Sequence, residues 1–402
     1  MIRVSPVPTT RRPSRLARAV LVLACVAAVS GCSTMRGWFG GKSESKQAEP
    51  NALVEFSPTL TVTPLWSTGV GKGEGELGLR QAPVIDAGRV YAAAVRGGVT
   101  ALDLQTGQTV WHYTTDVRVS GGPGVGEGLV VVGGLEGEVI ALDAASGTEK
   151  WRAKVNNEVI APPAIGQGKV FVRSNDGRVT AFDAATGERR WFWNHDLPNL
   201  SIRGNDGPAL GPGVLFTGND DGTVAMLAVA DGRPVWSLPV GQAEGRTELD
   251  RMADVDGTPV LDNGIVYATS FKRTTAAIDG PSGRPLWGSE HGGAGRPAVA
   301  ADRVVVTEPT GSVHGLDKQS GGSLWQQPAL ARRLVTAPAI AGQYAVVGDF
   351  QGYVHWLRLD TGAFAARVRA GRDAVTGAPV AAGGIVVVQN VDGRLSAFRA
   401  AE

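Results

Sequence analysis

Two stretches of the chain carry side chains suited to gripping another polypeptide. The first, Asp196-Leu-Pro-Asn-Leu200-Ser-Ile202-Arg203-Gly-Asn-Asp-Gly-Pro208, alternates Leu200 and Ile202 around a serine and then presents Arg203. An apolar anchor beside a planar guanidinium donor is a frequent pairing at interface hot spots. The second, Glu248-Leu-Asp250-Arg251-Met-Ala-Asp254-Val-Asp256-Gly257, sets Asp254 and Asp256 two residues apart, a patch of charge for a basic partner. The same residues also suit loops that pack Leu200 and Ile202 inward and leave their acids solvated. Other candidates for chemistry fall away. The five histidines (His112, His195, His291, His314, His355) are scattered without metal-ligand spacing and read as solvated or strand-face side chains. Gly71-Lys-Gly-Glu-Gly-Glu-Leu-Gly78 lacks a strand-to-helix setting, and its acids would repel phosphate. Asp220-Asp221-Gly222 lacks the remaining ligands of a calcium loop and reads as a hairpin turn. No catalytic residue, metal site or cofactor is expected.

What must position the two stretches is a repeat. Gly97-Gly-Val-Thr-Ala-Leu-Asp103, Thr106-Gly107 and Trp111 return as Gly137…Asp143, Ser146-Gly147, Trp151, and again as Gly177…Asp183, Thr186-Gly187, Trp191. Looser copies end at Trp236, Trp287 and Trp325. A seventh has Ala366 where tryptophan should fall and Arg358 where aspartate should be; the eighth, Gly393…Phe398, ends before any tryptophan. Prolines 83, 123, 163, 208, 259, 297, 338 and 379 lead the eight units at spacings of 38 to 51 residues. Units of this length, each parsed into short strands and tight turns, predict an all-β, eight-bladed propeller of four-stranded antiparallel blades. Where a unit has them, the aspartate should accept turn N–H groups, and the tryptophan should ride on the outer strand and dock against the next blade. The missing eighth tryptophan is Trp66, in Thr63-Pro64-Leu65-Trp66. Residues 56–66 should therefore complete the blade begun by residues 379–399 and close the ring without a free edge. The tryptophan-to-proline connections are 12 residues long after Trp111 and Trp151, but 17 after Trp191 and 23 after Trp236. All such connections leave a propeller by one face, so the two long ones should lie side by side.

Composition agrees. Glycine is 56 of 402 residues, about twice average usage, which disfavours helical architectures. With 39 basic and 38 acidic side chains there is no basic excess to hold nucleic acid.

The first residues are different material. Arg3, Arg11, Arg12, Arg15 and Arg18 precede an apolar run from Ala19 to Val29, too short to span a bilayer, and then Ser30-Gly31-Cys32. Val29-Ser30-Gly31-Cys32 resembles the bacterial lipobox, in which the cysteine is lipidated and becomes the mature N-terminus. Residues 1–31 are thus expected to be a lipoprotein signal peptide, 32–50 the lipidated Cys32 and a flexible tether, and 51–402 the propeller. Cys25 leaves with the signal, so the mature chain has no disulfide. The resemblance to lipoproteins, in which an aspartate after the cysteine goes with inner-membrane retention, implies from Ser33 the outer membrane instead.

The lipobox, the Ala-Leu-Asp…Thr-Gly…Trp units, the Leu-Ser-Ile-Arg-Gly stretch and Asp-Arg-Met-Ala-Asp-Val-Asp-Gly-Thr-Pro together resemble the BamB family, lipoproteins of the outer-membrane β-barrel assembly machinery. That resemblance covers essentially the whole chain. It implies a non-enzymatic scaffold, lipid-anchored in the outer membrane on the periplasmic side. It also implies that Leu200, Ile202, Arg203, Asp254 and Asp256 contact the POTRA domains of BamA, with the other lipoproteins of the complex reached through it. Nascent outer-membrane proteins are a further candidate partner. Ile202 stands where the family usually has leucine. The alternatives are a propeller like the quinone-dependent dehydrogenases, or a scaffold for another periplasmic complex.

Overall fold

The computed structural model describes residues 49–201, 204, 207–242 and 244–401. Cys32 with the expected signal peptide, and Ile202 and Arg203, lie outside the described residues. Eight four-stranded antiparallel sheets follow one another along the chain. Blades one to seven occupy residues 84–113, 124–154, 164–193, 209–239, 260–289, 298–327 and 339–369. Blade eight takes three strands from residues 380–401 and its outermost from Thr61–Gly69. That closing strand pairs with Arg394–Ala401, from Thr61 opposite Ala401 to Gly69 opposite Arg394, a few residues later than the expected 56–66.

The strand sequences explain their places. Second strands such as Leu129-Val-Val-Val-Gly133 are buried throughout and read as unbroken apolar runs. Outer strands such as Glu149-Lys-Trp-Arg-Ala-Lys154 expose their polar residues and bury the tryptophan. The core is divided into wedges between neighbouring blades. One holds Val139, Trp151 and Phe182 between blades two and three; another holds Trp356, Val386 and Phe398 between blades seven and eight.

Each repeat tryptophan sits at such a joint. Trp66 Nε1 donates to Leu104 O (2.9 Å), Trp111 to Ala144 O (3.0 Å), Trp151 to Ala184 O (2.8 Å) and Trp191 to Val229 O (3.0 Å). Trp236 donates to Gly280 O (2.9 Å), Trp287 to Lys318 O (3.0 Å) and Trp325 to Leu359 O (2.7 Å). Every acceptor belongs to the outer turn of the following blade. The indole lies flat on the turn glycine: a Cβ on Gly187 would come within 2.7 Å of the Trp151 ring, and Gly187 has φ +73°. The sheet partner of each tryptophan is usually small, Ala141 opposite Trp151 and Gly315 opposite Trp325, leaving room for the ring.

The turn aspartates accept from the backbone two and three residues on, as Asp183 Oδ1 does from Ala185 N and Thr186 N (3.0 Å each). Lys150 beside Asp143 and Arg190 beside Asp183 hold both carboxyls down to about 2. A carboxyl whose folded pKa lies below its unfolded value stabilises above the unfolded pKa, near 3.9, and loses that contribution as pH falls through the folded one. The melting temperature should therefore fall between pH 4 and 2. An Asp143→Asn/Asp183→Asn variant should show a shallower fall in a calorimetric pH series, and added salt should shrink the difference because both ion pairs open to solvent.

Candidate functional site

In an antiparallel blade, the connection into the next blade and the hairpin between its second and third strands emerge at the same end. The two long connections, residues 194–208 and 240–259, therefore share a face with those hairpins. They also touch: a Cβ on Gly204 would lie 2.5 Å from Asp256 Oδ1 and 3.2 Å from Arg173 Nη1. Any larger residue at 204 would have to push aside the ends of these two buried side chains.

The first loop is fastened at its two ends. At its start His195 Nε2 donates to Asp221 Oδ2 (2.8 Å) and the imidazole stacks on Trp193. That hydrogen bond raises the His195 pKa above its ordinary value, against the opposing effect of burial. Leu197 covers Gly177 of the blade-three hairpin, and near the loop's end Gly207 lies against Pro162 O. Leu200 keeps 42 % of its surface exposed, and Leu197 keeps 44 % even though it covers Gly177. Two half-exposed aliphatic side chains three residues apart, one of them seated on the hairpin, offer apolar area on a rigid base.

The second loop carries a one-turn helix, Glu248–Arg251, started by a capping box between Thr247 and Asp250. Leu249 on it is largely exposed. The chain then dives: Met252, Ala253, Asp254, Val255 and Asp256 are all buried. Val255 N donates to Asn219 O (3.0 Å) and Phe271 N to Asp254 O (2.8 Å), so the hairpins of blades four and five clasp this segment from either side. The expected surface patch of paired carboxylates is thus an interior group. Asp254 and Asp256 gather with Asp220, their carboxylate oxygens within 4.8 Å of one another, and Asp220 is ion-paired to the buried Arg173. The group lies directly beneath the first loop.

Sequence spacing misses a second constellation on the same face. His291, in the connection between blades five and six, and His314, on blade six, both meet Glu308 at the blade-six hairpin. The two imidazoles stack with centroids 4.1 Å apart. Burial, with His291 alongside, pulls the His314 pKa down to about 4. The separations of 17 and 6 residues match no local motif; only the repeat frame, which puts each inter-blade connection over the next hairpin, would have suggested the meeting. In contrast, residues 71–78 form an ordinary connection whose Glu74 accepts from Gln81 N and Thr376 Oγ1.

The comparisons follow the same outline. The family described as outer membrane protein assembly factor BamB matches residues 95–327 and 309–402. The chain is 59 % identical over 331 residues to the outer membrane protein assembly factor BamB of Xanthomonas campestris pv. campestris, covering 79 % of this chain and 82 % of that one. It superposes on the crystal structure of BamB from Moraxella catarrhalis with a TM-score of 0.76 at 27 % identity, over 84 % of this chain and 100 % of that one. The quinohemoprotein alcohol dehydrogenase of Comamonas testosteroni matches with a TM-score of 0.65 at 16 % identity, over 84 % of this chain and 76 % of that one, a likeness of fold alone.

Proposed function

Because the chain belongs to the family of the outer membrane protein assembly factor BamB, we propose that it is a non-enzymatic scaffold of the outer-membrane β-barrel assembly complex whose ring holds the POTRA region of BamA. Cys32 carries the lipid that anchors it to the outer membrane on the periplasmic side, residues 32–50 form the tether, and residues 51–402 are the working ring. Other lipoproteins of the complex are reached through BamA, and nascent outer-membrane proteins pass close by.

The observation that supports this reading best is the seating of Gly204 on Asp256 beneath the exposed tip at Leu200. Leu200 and Ile202 then supply apolar area to the partner, and Arg203 supplies a directional charged contact. Asp254 and Asp256, being buried, serve by holding the crest of the first loop in place rather than by meeting the partner over open surface. Precise support of a contact loop limits the ordering cost that binding would otherwise carry.

Leu200→Ala and Arg203→Ala should each weaken binding to purified BamA POTRA domains by about 1–3 kcal/mol, with the melting temperature unchanged. Asp256→Ala should lower both affinity and melting temperature, because it leaves a cavity where Gly204 seats on the buried side chain. Surface plasmon resonance beside a thermal melt measures the two together. Full affinity in the Leu200→Ala/Arg203→Ala double variant would remove this loop from the contact.

A further inference from the structure

We propose that His291, Glu308 and His314 form a binding site for one zinc-type divalent cation, on the face of the ring that carries the two long loops. Glu308 Oε1 is the centre of the arrangement. It lies 3.1 Å from His291 Nδ1 and 3.2 Å from His314 Nε2, and one donor atom from each residue falls within 4.8 Å of the others. Ligand atoms around a tetrahedral zinc ion, with bonds of about 2.0–2.1 Å, are separated by about 3.3–3.4 Å. Small side-chain shifts convert the observed triangle into three of the four corners.

The donor set is selective. Two imidazoles and one carboxylate suit zinc, cobalt or nickel far better than calcium or magnesium, which prefer all-oxygen shells. His314 is 1 % exposed, yet neither of its ring nitrogens makes a hydrogen bond of acceptable geometry among the described residues. A buried imidazole in that condition is costly unless a ligand repays it. The other Glu308 oxygen is already held: Thr310 Oγ1 donates to Oε2 (3.1 Å), and Arg273 lies 3.6 Å from it. These contacts turn Oε1 toward the imidazoles, as outer partners orient a ligating carboxylate. His291 is fixed from its own backbone, where Thr275 Oγ1 donates to His291 O. Its ring is partly exposed, so the fourth position opens to solvent and admits water or a side chain from a bound protein.

The test uses the untagged chain, titrated with Co²⁺ and followed by visible absorption, then competed with Zn²⁺. One Co²⁺ per chain should bind with the strong d–d bands of four- or five-coordinate nitrogen and oxygen ligation, and Zn²⁺ should abolish them. Thr310→Ala, which touches only the supporting contact, should weaken binding by roughly 10–100-fold. His291→Ala and Glu308→Gln should weaken it at least as much. His291 lies in a connection rather than a strand, so its variant reports on the site even where His314→Ala disturbs blade six. Absence of saturable Co²⁺ binding by the wild-type chain, or equal binding by His291→Ala, would overturn the assignment.

Discussion

Removing residues 51–69 should abolish the cooperative thermal transition and leave an opened ring that associates. Those residues supply the outer strand of blade eight, paired over its length with Arg394–Ala401. They also supply Trp66, docked on Leu104 O and Gly107 of blade one, and Leu60, buried between blades seven and eight. Ahead of the strand, Phe56 stacks on Phe364 at 5.2 Å, and Arg367 donates to Val54 O. Deleting the buried leucine costs about 2–5 kcal/mol, and the half-buried tryptophan adds up to about 3–5 kcal/mol. Together these approach the roughly 5–15 kcal/mol that stabilises a whole domain, before any strand pairing is counted. The deletion also bares the ladder groups of residues 394–401, a template for pairing with another chain. Calorimetry and size-exclusion chromatography would register both effects. A trimmed chain that stays monomeric and melts like the full one would mean that the ring is held shut by other contacts. Trp66→Ala alone should show a smaller loss, at most about 3–5 kcal/mol because the ring is half-buried.

This closure was legible in the sequence because a repeat keeps its own account: seven units ended in tryptophan or its gap, the eighth stopped short, and Trp66 stood unused upstream. The strand nevertheless begins at Thr61, since residues 51–60 are taken up in crossing blade seven, where Thr59 N and Leu60 N donate to Ala365 O. The loop lengths likewise placed the two long connections together. Whether their acids faced water was not legible. Two carboxylates with one residue between them look solvated in any one-dimensional reading, and only the clasp by Asn219 O and Phe271 N draws Asp254 and Val255 inward. The meeting of His291 and His314 over Glu308 was hidden for the same reason, since it depends on one connection lying over a hairpin contributed by the next blade.

The irregular seventh unit yields the second large expectation. A repeat tryptophan needs the outer turn of the following blade, with its carbonyl and its glycine. Blade eight has no such turn, because its third strand, residues 394–401, and its fourth, Thr61–Gly69, come from distant parts of the sequence. A tryptophan at position 366 would have nothing to dock on. Instead the sizes are exchanged across the sheet: Ala366 lies opposite Trp356, where the other blades set tryptophan opposite a smaller residue. Trp356 is fully buried, edge-on to Phe398 at 6.1 Å, in the wedge that also holds Leu60 and Val386. Its indole Nε1 makes no hydrogen bond among the described residues, so the ring contributes by volume alone. Trp356→Ala should therefore lower stability by about 3–5 kcal/mol, whereas Trp356→Phe, which keeps most of the volume and removes an unsatisfied donor, should cost less than about 1.5 kcal/mol. Ala366→Trp alone should overpack the wedge and cost about 1–3 kcal/mol. Combined with Trp356→Ala it should recover part of the loss, giving a favourable coupling of about 0.5–3 kcal/mol in a denaturant-unfolding double-mutant cycle. Strict additivity of the two changes would show that positions 356 and 366 do not fill a common space, and that the missing tryptophan of blade seven has another cause.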